Sequence, residues 1–264
     1  MKKPFYLVLM LSLFITACTK KTPDKPELDP NLFEFESFDQ FVDFWNLSPY
    51  LDVCPSVTDS FEWPDGTKTV DPITIPDEIA LSMSACGLLQ TLFTHPKILL
   101  GPWPRNPSFG LPGVTIFNDN LKASNVAVEL LKRDDCFPVF ASKYLNTIQR
   151  KAEQIQHISY LEMLFASDLA MSAFNEKEKT LLMAMAYERI KQSKLNPELI
   201  HIEATCHILV VTMRSCNYAP FLSKFGTYWI DSAYGYDICY LFQDAIIKET
   251  KRFLHEKIKL YFCI

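Results

Sequence analysis

The chain has 264 residues, with 26 Lys and Arg against 31 Asp and Glu and a formal net charge of −5. That length allows one large or two small domains with a substantial core. The acidic balance argues against nucleic-acid binding, which needs a concentrated basic face.

Lys2 and Lys3 form a positive stretch ahead of an apolar run over residues 5–15. The run is too short to span a bilayer as a helix, which needs about 20 residues. It ends in Ile15-Thr16-Ala17-Cys18, which resembles the lipobox of bacterial lipoproteins. That resemblance covers residues 1–18 only. It implies that a peptidase cuts before Cys18, whose sulfur and new amino terminus then carry acyl chains such as palmitate. Several acyl chains, at about 0.8 kcal/mol per buried methylene, anchor stably where one myristoyl chain would not. The alternatives are an ordinary secretory leader with an accidental cysteine, or a buried hydrophobic helix. Thr19 stands where enterobacterial lipoproteins kept at the inner membrane carry Asp. Lys20 and Lys21 follow, without the acidic cluster of surface-exported Bacteroidota lipoproteins. The expected location is the cell envelope: an outer-membrane anchor facing the periplasm, with the cell surface as the other possibility.

Loss of the 17-residue leader removes two lysines and leaves a mature net charge of −7 over 247 residues. Seven cysteines then remain beside Cys18, at 54, 86, 136, 206, 216, 239 and 263. Their odd number cannot pair fully within the chain, and no Cys-x-x-Cys marks a zinc or thioredoxin-type site. Cys86, Cys136, Cys206 and Cys239 sit in apolar helical patterns, where a free cysteine acts as a small hydrophobe. Export permits disulfides; at most one or two are expected, with the pairs left open.

Residues 19–30 are rich in proline and charge and read as a tether, reaching about 37 Å at about 3.1 Å per residue if extended. Fourteen of the 17 prolines lie at or before Pro112. The expected organisation is therefore a leader (1–17), a lipid-anchored tether (18–30), a loop-rich part with two helices (31–113) and a helical array (114–264).

In the loop-rich part, Phe38, Phe41, Val42 and Trp45 have helical spacing and predict a helix over 36–47. Residues 49–76 read as irregular, with a turn at Pro64-Asp65-Gly66. One helix is predicted from Pro76 to about Thr94, stopped by Pro96 and weakened by Gly87. Four prolines and three glycines in residues 101–113 exclude a helix or central strand. Trp103, Arg105 and Phe109 would there form a recognition loop, or the aromatics would fold back as a lid.

Helices are then predicted over 118–133, 135–151, 155–173, 175–194, 197–216 and 236–260. Asn175 and Glu178 resemble a capping box. The 197–216 helix is apolar on several faces and must be covered on more than one side. Paired helix starts recur at about 40 residues, close to the HEAT or armadillo period. The expected fold is mainly α, a helical array resembling an armadillo/HEAT-type α-solenoid, with a compact helical bundle as the alternative.

No sequence motif of a serine hydrolase, zinc protease or phosphate-binding loop is present. His201-Ile202-Glu203 matches only half of a zinc deaminase signature, since Pro-Cys-x-x-Cys is missing. Glu203 and His207 could share a metal at i, i+4 but read as an ordinary helix pair. Asp134-Asp135 reads as a helix end and cap, and Cys206-His207 diverge on a helix. No catalytic residue, metal or cofactor is assigned. Residues 226–240 concentrate aromatics, with Tyr228, Trp229, Tyr234 and Tyr236 offering a sugar-stacking or protein-binding face, or simply packing. Asp231-Ser232-Ala233 also resembles a Bacteroidota O-glycosylation site. The apolar end, residues 260–264, is expected to pack as a cap or mark a shortened chain. The expected function is a lipid-anchored envelope protein acting as a non-catalytic macromolecule-binding or scaffold module, with another envelope protein or a glycan as its partner. The alternatives are a glycan-binding lipoprotein and a hydrolase with a site assembled across helices.

Overall fold

A computed structural model describes residues 33–68, 73–96, 119–149, 155–195, 203–225 and 243–261. The chain divides into two compact units, Met1–Glu34 and Phe35–Ile264, and the helices described here belong to the second. The leader, the tether, and the segments 101–113 and 226–240 lie outside the described residues.

The fold is mainly α. In chain order the helices are α1 (Phe38–Phe44), a 3-10 turn (Ser48–Tyr50), α2 (Asp77–Ser82), α3 (Ala85–Thr94), α4 (Asn125–Lys132), α5 (Cys136–Gln149), α6 (Ile155–Phe165), α7 (Asp168–Ala173), α8 (Glu176–Leu195), α9 (Glu203–Ser215), α10 (Ala219–Phe225) and α11 (Gln243–Tyr261). Among the described residues no strand occurs, and no helix is long and apolar enough to cross a membrane.

Three predicted helices are each split, and a serine sits at every break. The stretch expected to run from Pro76 to Thr94 ends at Ser82 and restarts after Ser84, whose hydroxyl accepts from the Gly87 amide. The 118–133 helix is interrupted at Ser124, which caps α4 by accepting from Ala127. The 155–173 helix stops at Phe165, and Ser167 caps α7 by accepting from Ala170. Apolar periodicity runs through these points, but a serine oxygen satisfies an orphan amide and stabilises a new helix start by about 1 kcal/mol. Ser37 does the same for α1, where Phe41 and Val42 are buried as expected. The Asn175–Glu178 capping box forms in both directions, at 2.8 and 3.0 Å.

Helix α8 is the axis of the packing. Every residue from Leu181 to Ile190 is buried, so its middle is covered on all sides by α5, α9 and α11. Helix α9 has the several-sided apolar character expected of it, with Cys206, Ile208, Leu209, Val210 and Met213 all buried, and it meets α6, α7, α8, α10 and α11. Among the described helices, the more extensive packings join helices no more than three apart in their order along the chain. A compact helical bundle fits this arrangement, and short-range packing of this kind is common to bundles and short solenoids.

An aromatic seam fills the space between the 3-10 turn, α5, α6 and α7. Tyr50 meets Phe137 edge-on at 5.5 Å, Phe137 meets Phe174 at 5.2 Å, and Phe140 and Tyr144 meet Phe165 at 5.2 and 5.3 Å. At the other side of α8, Glu176 accepts from Lys257 Nζ at 2.9 Å and Tyr261 OH at 2.7 Å, which ties the end of α11 to the start of α8.

Candidate functional site

Two constructions in the described residues carry polar groups in unusual surroundings. The first is the Glu162 carboxylate on α6, fully buried. Its Oε1 accepts from Tyr144 OH on α5, Arg189 Nε on α8 and Thr205 Oγ1 on α9, each at 2.7 Å. Among the described residues Oε2 has no hydrogen-bond partner. Burial and the adjacent carboxylate push the Tyr144 phenol well up, so it stays a donor. Burial works against the Arg189 charge, but the Glu162 carboxylate outweighs it and the guanidinium is held up. The Arg189 side chain is only 5% exposed, so substrate has no access to the pair. The Glu162 carboxylate thus joins side chains from α5, α6, α8 and α9 at one buried point.

The second is an irregular strap laid along α3. Cys54 is joined to Cys86 by a disulfide, which corrects the reading of Cys86 as a free core cysteine. Helix spacing alone gave no sign of it, because the partner lies in an irregular segment. Beyond the disulfide, the Asp59 carboxylate accepts from the Ser84 amide at 2.6 Å and its hydroxyl at 3.0 Å. The Phe61 amide donates to Thr91 Oγ1 at 2.8 Å, and the Trp63 indole N–H donates to the Thr91 carbonyl at 3.1 Å. The Trp63 ring stands edge-on to His95 at 4.4 Å.

The strap then turns at residues 64–67, where Gly66 takes the left-handed conformation with φ 89°. Between this turn and the end of α3 lies an open cleft of about 410 Å³, lined among others by Phe61, Glu62, Trp63, Asp65, Thr94 and Pro96. The segment is irregular, as its sequence predicts, and its two aromatics are not among the binding residues expected from sequence. The available signal was an aromatic pair, Phe61 and Trp63, immediately before a Pro-Asp-Gly turn.

The binding residues expected from sequence, Trp103, Arg105, Phe109, Tyr228, Trp229, Tyr234 and Tyr236, lie outside the described residues, as does Cys18. Cys136 and Cys206 are buried, as their apolar helical patterns predict; burial and nearby carboxylates push the Cys136 thiol up, away from reactivity. His207 is half-buried on α9, where desolvation pushes its imidazole down to about 4 against the upward pull of Asp168. Among the described residues no group of three His, Cys, Asp or Glu could hold a metal ion. No family model, curated protein or solved structure matches this chain.

Proposed function

We propose that this chain is a lipid-anchored protein of the bacterial cell envelope whose helical body binds another macromolecule and performs no chemistry. The observation that carries the reading is the lipobox-like Ile15-Thr16-Ala17-Cys18 after a short apolar run. The Cys54–Cys86 disulfide supports it independently, because such bonds persist in exported proteins and are rare in the cytosol. The charged groups of the buried Glu162 cluster are taken up in holding helices together, which supports a binding role over a catalytic one. An outer-membrane anchor facing the periplasm remains the favoured location, for want of the aspartate and the acidic cluster that mark the alternatives.

Metabolic labelling with palmitate tests the anchor. The wild-type chain should take up label and fractionate with membranes, and Cys18→Ala should do neither. Label retained in Cys18→Ala would overturn the reading. Cross-linking in intact envelopes tests the binding role, with one discrete adduct expected; its absence at native abundance counts against a macromolecular partner.

The cleft at Phe61 and Trp63 favours a second reading, a glycan-binding lipoprotein. Sugar rings stack on aromatic faces, and the exposed Glu62 and Asp65 beside them can accept from hydroxyls. If Trp63→Phe with Phe61→Ala leaves retention on envelope polysaccharide unchanged, this reading fails at that cleft.

A further inference from the structure

Charge is distributed unevenly along this chain. Residues 34–78 contain 11 acidic residues and one basic residue. Residues 79–264 hold 20 basic against 17 acidic, and the densest basic group lies on α11. At 100° per residue, Lys248, Lys251, Arg252, His255 and Lys259 fall within an arc of about 100° that runs about 16 Å along the helix. This arc is opposite the buried Ile246, Thr250 and Phe253, which face α8 and α9. Lys248, Arg252 and Lys259 are exposed; Lys251 and His255 are half-buried, and Lys251 Nζ lies 5.9 Å from the centre of the Tyr187 ring.

Among the described residues the acids on α11 are Asp244, Glu249 and Glu256. Glu249 is buried and takes both Arg252, at 3.0 Å, and Lys224, at 3.4 Å, so that trio keeps a net positive charge. Glu256, at the edge of the arc, accepts from Tyr218 OH at 3.3 Å. Asp244 stands in the first turn of the helix, where an acid favours the helix dipole. Lys257 is turned to the other side and held by Glu176.

We propose that this stripe docks on the anionic phospholipid headgroups of the membrane that carries the anchor. The proposal rests on the lipoprotein reading, which keeps headgroups at high local concentration. A straight row of exposed lysine and arginine charges matches the diffuse negative potential of a leaflet, which each basic residue near the surface exploits by a factor of about five at low salt. The acidic segment 34–78 is repelled by the same surface, so docking also orients the helical body. The attraction is screened beyond a Debye length of about 8 Å at physiological salt.

The test uses the mature chain, residues 18–264, prepared oxidised and without acyl chains, and sedimented with vesicles at low and high salt. Binding to phosphatidylglycerol-rich vesicles, none to pure phosphatidylcholine, and loss at high salt are expected. Lys248→Glu with Lys259→Glu should lower binding at least about tenfold, since each lysine contributes a factor of about five. If that pair fails to fold, Lys248→Gln with Lys259→Gln serves, compared with Lys132→Gln and Lys143→Gln, which change net charge equally and should retain binding. Absence of vesicle binding, equal loss in the two neutral pairs, or equal affinity for duplex DNA or a free anionic polysaccharide would overturn the proposal. Because no acyl chain is present, vesicle binding by a chain that takes up no palmitate in cells would sink the anchor reading alone. Palmitate uptake without vesicle binding would sink the stripe alone.

Discussion

The Asp59 carboxylate occupies the space that a side chain at Gly87 would need. A Cβ on Gly87 would stand 2.6 Å from the Asp59 Cγ, closer than real carbon contacts allow. Asp59 cannot simply swing away, because the Ser84 amide and hydroxyl both donate to it. Gly87 counted against a helix here on propensity alone, yet its missing side chain is what lets the strap dock on the start of α3.

This relationship predicts a change of sign. Gly87→Ala gains up to about 1 kcal/mol of helix propensity but breaks hydrogen bonds to a carboxylate worth about 1.5–3 kcal/mol. The net expected effect is a loss of about 1 kcal/mol. In an Asp59→Ala background the same substitution should stabilise by up to about 1 kcal/mol. Urea unfolding of the four proteins in the cycle measures this; additive effects would refute the clash.

Opening the disulfide should also loosen the strap. Cys54 and Cys86 are 32 residues apart, a loop whose closure constrains the unfolded chain by about 3–4 kcal/mol. Cys54→Ser with Cys86→Ser should lower stability by about 2–4 kcal/mol, and reduced wild type should match it. Reductant should leave the double variant unchanged. A further drop on reduction would mean that a second disulfide contributes.

The buried Glu162 cluster predicts a ranking. Arg189→Met leaves a carboxylate buried without its cation and should cost about 3–5 kcal/mol. Tyr144→Phe removes one of three donors to Oε1 and should cost about 1–3 kcal/mol. Denaturant midpoints of the two variants decide the order; equal costs would mean that the carboxylate is not held mainly by its cation.

Alkaline pH should weaken the fold. Burial, with Glu162 beside Tyr144 and Glu256 beside Tyr218, holds the Tyr144, Tyr160 and Tyr218 phenols above their usual value of 10.0. Folded values above the unfolded one give stability that is whole below pH 10 and is lost as pH rises through 10 toward the folded values. Urea midpoints at about pH 8 and about pH 11 should show the fall, and Tyr144→Phe should show a smaller one because it has one phenol fewer to ionise.

The helical character of this chain, the buried face of α1, the capping box at Asn175 and Glu178 and the several-sided burial of α9 follow from sequence alone. Each depends on neighbours within about a turn, so local spacing and side-chain reach determine them. The serine breaks were available to the same reading, since Ser84, Ser124 and Ser167 each sit three residues before the amide they cap. Apolar periodicity continues across those serines and outweighed them.

Other features only the tertiary structure decided. Cys54 could have paired with any of six other mature-chain cysteines beside Cys18, and packing of the strap on α3 selected Cys86. Residues 144, 162, 189 and 205 have no common spacing, and they converge only because α5, α6, α8 and α9 surround one carboxylate. The lipobox-like leader still carries the reading of location, because a short apolar run and a cysteine have meaning before any folding. Contacts between distant segments cannot be read that way, since chain folding and not sequence distance sets which groups meet.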